Sequence, residues 1–260
     1  MQDKEYQFHI NCKRGDVGKY VILTGDPKRC EKIAKYFSNS YLVADNREFV
    51  TYTGLLDETK ISVTSTGIGG PSAAIAVEEL CAIGAEFFIR VGTCGGIAID
   101  VINGDIIIPT GAIRQEGTTL QYVPIEYPAI ADFEVVLALK QAAKYLKARE
   151  HIGIVQSKDS FYGQHSPDRM PVCYDLKNKW EAWKKAGVLG SEMECASIFT
   201  VGGLLGKKTG AVLAVIWNQE RQAQGFNDEE IPDTDLAVRV AVESMRILIN
   251  IEKQSVKESI

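Results

Sequence analysis

Short apolar runs alternate along this chain with stretches whose apolar residues recur at helical spacing, and glycine-rich turns separate the two. Residues 20–23 (YVIL) form a β-rich run ending in Thr24-Gly25-Asp26-Pro27, and residues 28–37 follow with a helical pattern. Residues 49–56 and 61–65 read as strands joined by the polar turn 57–60, as in a hairpin. Pro71 opens a helix that runs to Ile83, since proline's missing N–H has no partner in a first helical turn anyway. Residues 87–91 and 105–109 have the near-continuous apolar character of strands buried on both faces. Residues 131–146 predict an amphipathic helix, 151–156 a strand, 192–205 a helix, 209–216 a buried strand and 233–252 a long final helix. The polar stretches 158–179 and 219–232 read as loops, the second a lid or an ordinary exposed connection. Such alternation predicts an α/β fold: one domain over residues 1–260, a three-layer α/β/α sandwich around a mixed, mostly parallel sheet. In that architecture ligands bind where strands end and glycine turns begin.

Composition narrows the partners. The chain has 260 residues, 45% of them hydrophobic, and a formal net charge of −5 with no Lys/Arg-dense segment, which argues against nucleic acid or an anionic membrane surface. An anionic ligand must therefore be held by a few arginines placed by the fold. No apolar run approaches the ~18 residues of a membrane span, and the polar start MQDKEYQFHINCKRG is not the pattern of a signal peptide. Six cysteines without a CxxC pair predict reduced thiols in the cytoplasm, and three histidines at no metal-ligand spacing from one another speak against zinc.

Three turns carry candidate chemistry. Thr24-Gly25-Asp26-Pro27-Lys28-Arg29 enters a helix whose free N–H groups attract anions, with Arg29 adding a bidentate donor. Ser65-Thr66-Gly67-Ile68-Gly69-Gly70-Pro71 lacks the third glycine of a dinucleotide fingerprint, and no phosphate-loop GxxxxGK[ST] occurs, so a nicotinamide cofactor and a nucleotide loop are both rejected. In Ile89-Arg90-Val91-Gly92-Thr93, an arginine interrupts an apolar strand. A buried charge is costly unless paired, so Arg90 faces either a structural carboxylate or a bound phosphate, with Thr93 completing the second arrangement. Glu192-Met193-Glu194 at a helix start is open to two readings, a cap for the helix dipole or a carboxylate that accepts from ribose hydroxyls. Phe161, Tyr162, Gln164 and His165 supply rings and polar edges suited to a planar heterocycle, unless they are simply solvated.

Taken together, the segments GDPKRCEKIA, NREFVTYTG, STGIGGPSAAIAVEEL, IRVGTCGGI, PIEYPAIADFE, SFYGQ, SEMECASI and AVIWN resemble the nucleoside phosphorylase family of trimers and hexamers, and within it the uridine phosphorylases. The similarity runs from about His9 to Ile249. It implies reversible phosphorolysis of a pyrimidine nucleoside, uridine or deoxyuridine, to free base and (deoxy)ribose 1-phosphate. Phosphate is then a co-substrate, and no organic cofactor is needed. The resemblance places Gly25, Arg29, Arg90 and Thr93 on phosphate, with Arg47 reaching the phosphate of a neighbouring subunit. His9 reaches a neighbour's ribose 5′-hydroxyl, Met193 and Glu194 hold the ribose, and Phe161, Gln164 and Ile216 contact the base. Arg90 and Glu194 are the catalytic pair. The implied assembly is a homo-oligomer, a hexamer of dimers with shared sites, and a potassium ion is implied at Glu48, Ile68 and Ser72.

The sequence also departs from this pattern. Uridine phosphorylases carry an arginine two residues after the base-binding glutamine, where this chain has Ser166, and another after the asparagine of the late strand, where it has Gln219. Lys158 and His165 are the nearest replacements for these base-carbonyl donors. The aspartate that purine-specific relatives use is also missing, its segment reading Ile216-Trp217-Asn218. Alternatives are a purine nucleoside phosphorylase, a nucleosidase that uses water, and a silent nucleoside-binding protein. The presence of Arg29, Arg47, Arg90 and Glu194 together weighs against the last two.

Overall fold

The computed structural model describes residues 5–226 and 229–258, so residues 227 and 228 of the polar stretch 219–232 lie outside it, as do the ends of the chain. Strand β1 (Tyr20–Thr24) is followed by helix α1 (Pro27–Ala34), then by β2 (Ser38–Asn46), β3 (Phe49–Leu56) and β4 (Thr59–Ser65). Next come α2 (Gly70–Ala82), β5 (Phe87–Gly96), β6 (Ile106–Gln115), β7 (Ala129–Ile130) and α3 (Phe133–Tyr145). Strand β8 (Glu150–Lys158) leads through α4 (Phe161–His165) and α5 (Cys173–Lys185) to β9 (Gly190–Glu192). Helix α6 (Cys195–Leu204), β10 (Lys208–Asn218), α7 (Gln219–Ala223) and α8 (Asp235–Glu258) complete the order.

One mixed sheet carries the fold. Strand β1 lies parallel between β4 and β5, and β5 is also parallel to β10. The outer strands β3 and β2 run antiparallel beyond β4. On the other side the path β10-β6-β8-β9 returns to β5, so these five strands close into a ring. The alternation of side chains explains the three layers. Tyr20, Ile22, Ile89, Val91 and Val212 face α1, α3 and α8, where Ile33, Leu139 and Met245 complete one core. Val21, Leu23, Phe88, Ala211 and Leu213 point the other way, into a second core with Val77 of α2 and Ile198 of α6. Strands buried on both faces must be apolar throughout, which is why these segments read as unbroken runs.

Several boundaries differ from the sequence expectation. Strand β5 does not stop at Val91 but continues through Gly92 to Gly96, because β10 and β9 pair with that glycine-rich end. Strand β6 continues past Pro109, where a register shift between Pro109 and Gly111 absorbs the missing N–H. Strand β2 carries no alternating pattern, being mostly exposed, and forms because β3 offers it a free edge. The stretch 158–179 is not one loop. It contains α4 and the start of α5, whose Leu176, Trp180 and Trp183 fall at helical spacing among charged neighbours. Finally, the helix expected from Glu192 begins at Cys195, since residues Gly190–Glu192 pair with β5 and β8. No described helix is long and apolar enough to cross a membrane.

Candidate active site

The carboxyl ends of β1, β4, β5, β8 and β10 surround a cavity of about 680 Å³. One wall is built on the arginines. Arg90 sits in the middle of β5, in register with Leu23 on β1 and Ala211 on β10, and its guanidinium is buried on the α6 side. Its Nε donates to Glu192 Oε2 at 3.2 Å and its Nη2 to Glu194 Oε2. Of the two expected alternatives the structural carboxylate is met, twice over, and the same arginine also lines the cavity. Among the described residues Nη1, which is buried, has no hydrogen-bond partner. Burial opposes the charge of Arg90, but Glu194 and Glu192 outweigh it and push the guanidinium pKa up, so this arginine stays a cation. Gly92 makes the placement possible, because a Cβ there would lie 2.7 Å from Arg90 Nη2.

Glu192 organises this wall. Its carboxylate accepts from Glu194 N at 2.9 Å, from Cys195 N at 3.0 Å and from Ser157 Oγ, capping α6 while holding Arg90. Glu194 is then free to turn its own carboxylate inward, where Oε1 accepts from Gly69 N at 2.6 Å. Gly69 has φ 90°, a conformation that glycine adopts without cost. Burial raises the Glu194 pKa; Arg90 works against that rise and Glu192 adds to it. Arg29, from the first turn of α1, also lines the cavity, and among the described residues no carboxylate lies within ion-pair distance of it. Burial lowers its pKa, Asp26 offsets part of that, and the like charge of Arg90 adds to it. Two guanidinium groups close enough to repel one another suit an anion between them. Gly25, Thr93 and Met193 stand on the same wall.

The opposite wall carries Phe161, Gln164, His165, Ile216 and Lys158. Phe161 and His165 pack in a tilted pair, ring centroids 4.3 Å apart and planes at 44°, and Trp217 backs His165 at 5.7 Å. Lys158 is only 6% exposed, and its Nζ donates to Ser191 Oγ at 2.7 Å. Burial lowers its pKa to about 8, with Glu192 and Glu194 pulling the other way. Burial also lowers the His165 pKa, and the Lys158 charge adds to that effect. The positions without the expected arginines stay vacant in the sense that matters: Ser166 is exposed and off the wall, and Gln219 accepts from Gln164 at 3.3 Å.

At the mouth lie Glu48, Ile68 and Ser72, whose hydroxyl lies 2.9 Å from Glu48 Oε1 and also contacts Thr66 O. His9 and Arg47 do not reach this chain's cavity. They are instead brought together beside it, as Asn46 Nδ2 donates to the His9 carbonyl at 2.7 Å. His9 Nδ1 lies 2.7 Å from Glu79 Oε1, and Arg47 is exposed on the β2–β3 turn with φ 57°. Sequence reasoning missed Ser191 and Gly69 as working parts, and saw Glu192 only as one of two acids at a helix start. The spacing of two acids before an apolar helix was visible, but which of them caps and which turns inward depends on β9 pairing with β5.

Comparison with known proteins agrees with this geometry. The phosphorylase superfamily profile matches residues 19–249. The uridine phosphorylase of Treponema pallidum (strain Nichols) is 55% identical over 243 residues, 94% of each chain. That of Escherichia coli (strain K12) is 39% identical over 93% of this chain and 98% of its own. The guanosine phosphorylase of Halorubrum lacusprofundi is 35% identical over 93% of this chain and 99% of its own.

The Glu192 arrangement makes a stability prediction. Glu192→Ala leaves a buried guanidinium half-paired and two helix N–H groups without their cap. Unfolding in denaturant should show a loss of about 3–5 kcal/mol, the scale of breaking a buried ion pair from one side. A loss under about 1 kcal/mol, the scale of an exposed pair, would mean that Arg90 is held by something else.

Proposed function

The chain belongs to the phosphorylase superfamily, and on that premise we propose that it is a pentosyltransferase acting by reversible phosphorolysis on uridine or deoxyuridine. The observation that carries this reading is Arg90, which lines a cavity shared with Arg29 and the inward-turned Glu194. Arg29, Arg90, Gly25 and Thr93 bind the phosphate. Glu194 accepts from the ribose hydroxyls beside Met193, and the tilted Phe161–His165 pair with Gln164 and Ile216 receives the base. As the C1′–N1 bond breaks, its electron pair moves onto the base and a phosphate oxygen bonds to C1′. Phosphate under the sugar stabilises the positive charge growing there, so positioning and electrostatics supply the catalysis. The leaving base carries its charge on the carbonyl oxygens, for which the Lys158 ammonium, with His165 beside it, is the donor in place of the missing arginines. The cysteines are all unpaired thiols, which supports a cytoplasmic location.

A purine substrate fits this wall less well. Such a base needs a proton at N7, and the late strand supplies no acid: Asn218 is fully buried, with Nδ2 2.8 Å from the carbonyls of Ala98 and Val101 and Oδ1 capping α7. The kinship with a guanosine phosphorylase makes base choice a matter of these few side chains.

The site is completed by a second subunit. His9 and Arg47 lie outside their own cavity, joined through Asn46, whose amide bonds the His9 carbonyl, and Ile68 at the mouth is 77% exposed, with Phe8 next to His9 at 62%. Apolar groups left open around a polar cavity suit an interface. We infer a dimer in which His9 and Arg47 enter the partner's site, and a hexamer built from such dimers. A potassium ion at Glu48, Ile68 and Ser72 fits the same rim, because the Ser72 hydroxyl has one proton for the two acceptors it faces.

Base release from uridine should require phosphate. Arg90→Ala should lower kcat/KM at least ~100-fold, as for removal of a charge-stabilising group, and Arg29→Ala should chiefly raise the KM for phosphate. Equal turnover in phosphate-free buffer means a nucleosidase, and preference for inosine over uridine reverses the base assignment. For the dimer, inactive Arg47→Ala and inactive Glu194→Ala subunits should regain activity when co-assembled, since each mixed pair then holds one complete site; a fully active monomer in light scattering contradicts this. For the ion, the unfolding temperature should be higher in potassium chloride than in tetramethylammonium chloride at equal ionic strength, and Glu48→Gln should remove the difference. Identical temperatures for the unmutated protein in both salts exclude the site.

A further inference from the structure

Lys158 is an unusual lysine. It is buried, it lines the cavity, and among the described residues no carboxylate lies within ion-pair distance of its ammonium. A buried cation without a counter-ion is costly, so something in the structure must hold it in place. Its one described hydrogen bond goes to Ser191 Oγ.

Ser191 does more than accept that bond. It is 2% exposed, and the β8–β9 register sets it opposite Gln156, two residues before Lys158 on the same face of β8. Its hydroxyl lies 2.7 Å from Gln156 Oε1 and 2.7 Å from Gln164 Oε1. With an ammonium occupying one lone pair, the hydroxyl proton must point toward the glutamines. Gln156 is itself fixed, because its Nε2 donates to Gln115 Oε1 at 2.6 Å and Gln115 Oε1 also receives Trp183 Nε1 at 3.1 Å. The serine thus hangs from a rigid amide chain and ties Lys158 to Gln164.

Behind this wall lies a second cavity of about 580 Å³, and Lys158 and Gln164 line both cavities. The lysine therefore has room to turn away from the nucleoside side, toward Asp159 and Glu181, which line the second cavity. We propose that Ser191 is a positioning residue for base departure, holding the Lys158 ammonium on the nucleoside side. This rests on the phosphorolysis reading above. The ammonium donates a hydrogen bond to the charged carbonyl oxygen of the leaving base and keeps its proton; the base later takes one from water.

The electrostatics sharpen the test. Burial opposes the charge of Lys158, Glu192 and Glu194 favour it, and His165 is the neighbouring imidazole. With a pKa near 8, Lys158 loses its proton just above neutrality, so kcat/KM for uridine should fall as pH rises through that value. Removing the serine lone pair takes away the hydrogen bond that favours the charged form, so the fall should move to lower pH.

Steady-state kinetics of uridine phosphorolysis against pH decide the matter. Ser191→Ala should lower kcat/KM for uridine about 10- to 150-fold, the range for losing a hydrogen bond to a charged group. Its alkaline limb should shift to lower pH, while the KM for phosphate changes less than about twofold. Ser191→Thr, which keeps the hydroxyl, should recover most of the rate and the original limb. In a Lys158→Met background, Ser191→Ala should cost little more, because the serine acts through the lysine. If Ser191→Ala does not fold, Ser191→Cys, of similar volume and weaker as an acceptor, should show the same shift. An unchanged pH profile with kcat/KM within about twofold, or an equal cost with and without Lys158, overturns the proposal. Inactivity of the unmutated protein on uridine with phosphate overturns the phosphorolysis reading and this one together, and is told apart by being seen before any substitution.

Discussion

The guanidinium of Arg90 in the middle of the sheet is the constraint to which the site answers. An arginine on a central strand has no water to charge against, so two carboxylates must come to it. Glu192 meets that demand and caps α6 with the same oxygens, which fixes where the helix starts and lets Glu194 turn into the cavity. Gly92 makes space on the strand, and Gly69 brings a backbone N–H across from the head of α2. Both acids also accept from backbone N–H groups, and among the described residues Nη1 of the guanidinium is left without a hydrogen-bond partner.

Much of this was legible in the sequence. The central strands were, because burial on both faces leaves an unbroken apolar run, and Arg90 stood out by interrupting one. The turn at Gly25 and the helix behind Pro71 followed from local chemistry. What failed to show was whatever depends on pairing at a distance. Residues 38–46 have no pattern because a mostly exposed edge strand needs none. Trp180 and Trp183 carry helical spacing just beyond the stretch 158–179, but the charges around them mask the helix that begins inside that stretch. The partner of Arg90 was named only as a class, since 102 residues separate it from Glu192. Lys158, in a polar stretch, gave no sign of being buried.

The two ends of the cavity are built by different means. The end with the arginines uses strand interiors and helix starts, whose positions are set by the cores on either side of the sheet. The end with Phe161 and His165 uses short elements after β8, in which side-chain amides and a serine do the holding. Side chains can be exchanged there with little effect on the cores, and that is where this chain departs from the arginines of the proteins it resembles.

The ring formed by β5, β10, β6, β8 and β9 bears on how such a cavity changes over time. A closed circuit of hydrogen bonds cannot be widened by sliding one member, since every displacement must be passed round to the strand where it began. Its bore is therefore a fixed quantity of the architecture. Lineages that share the circuit but differ in the heterocycle they accept are left with one kind of freedom, the size and polarity of the groups projecting inward, and divergence among them should be concentrated in those few positions.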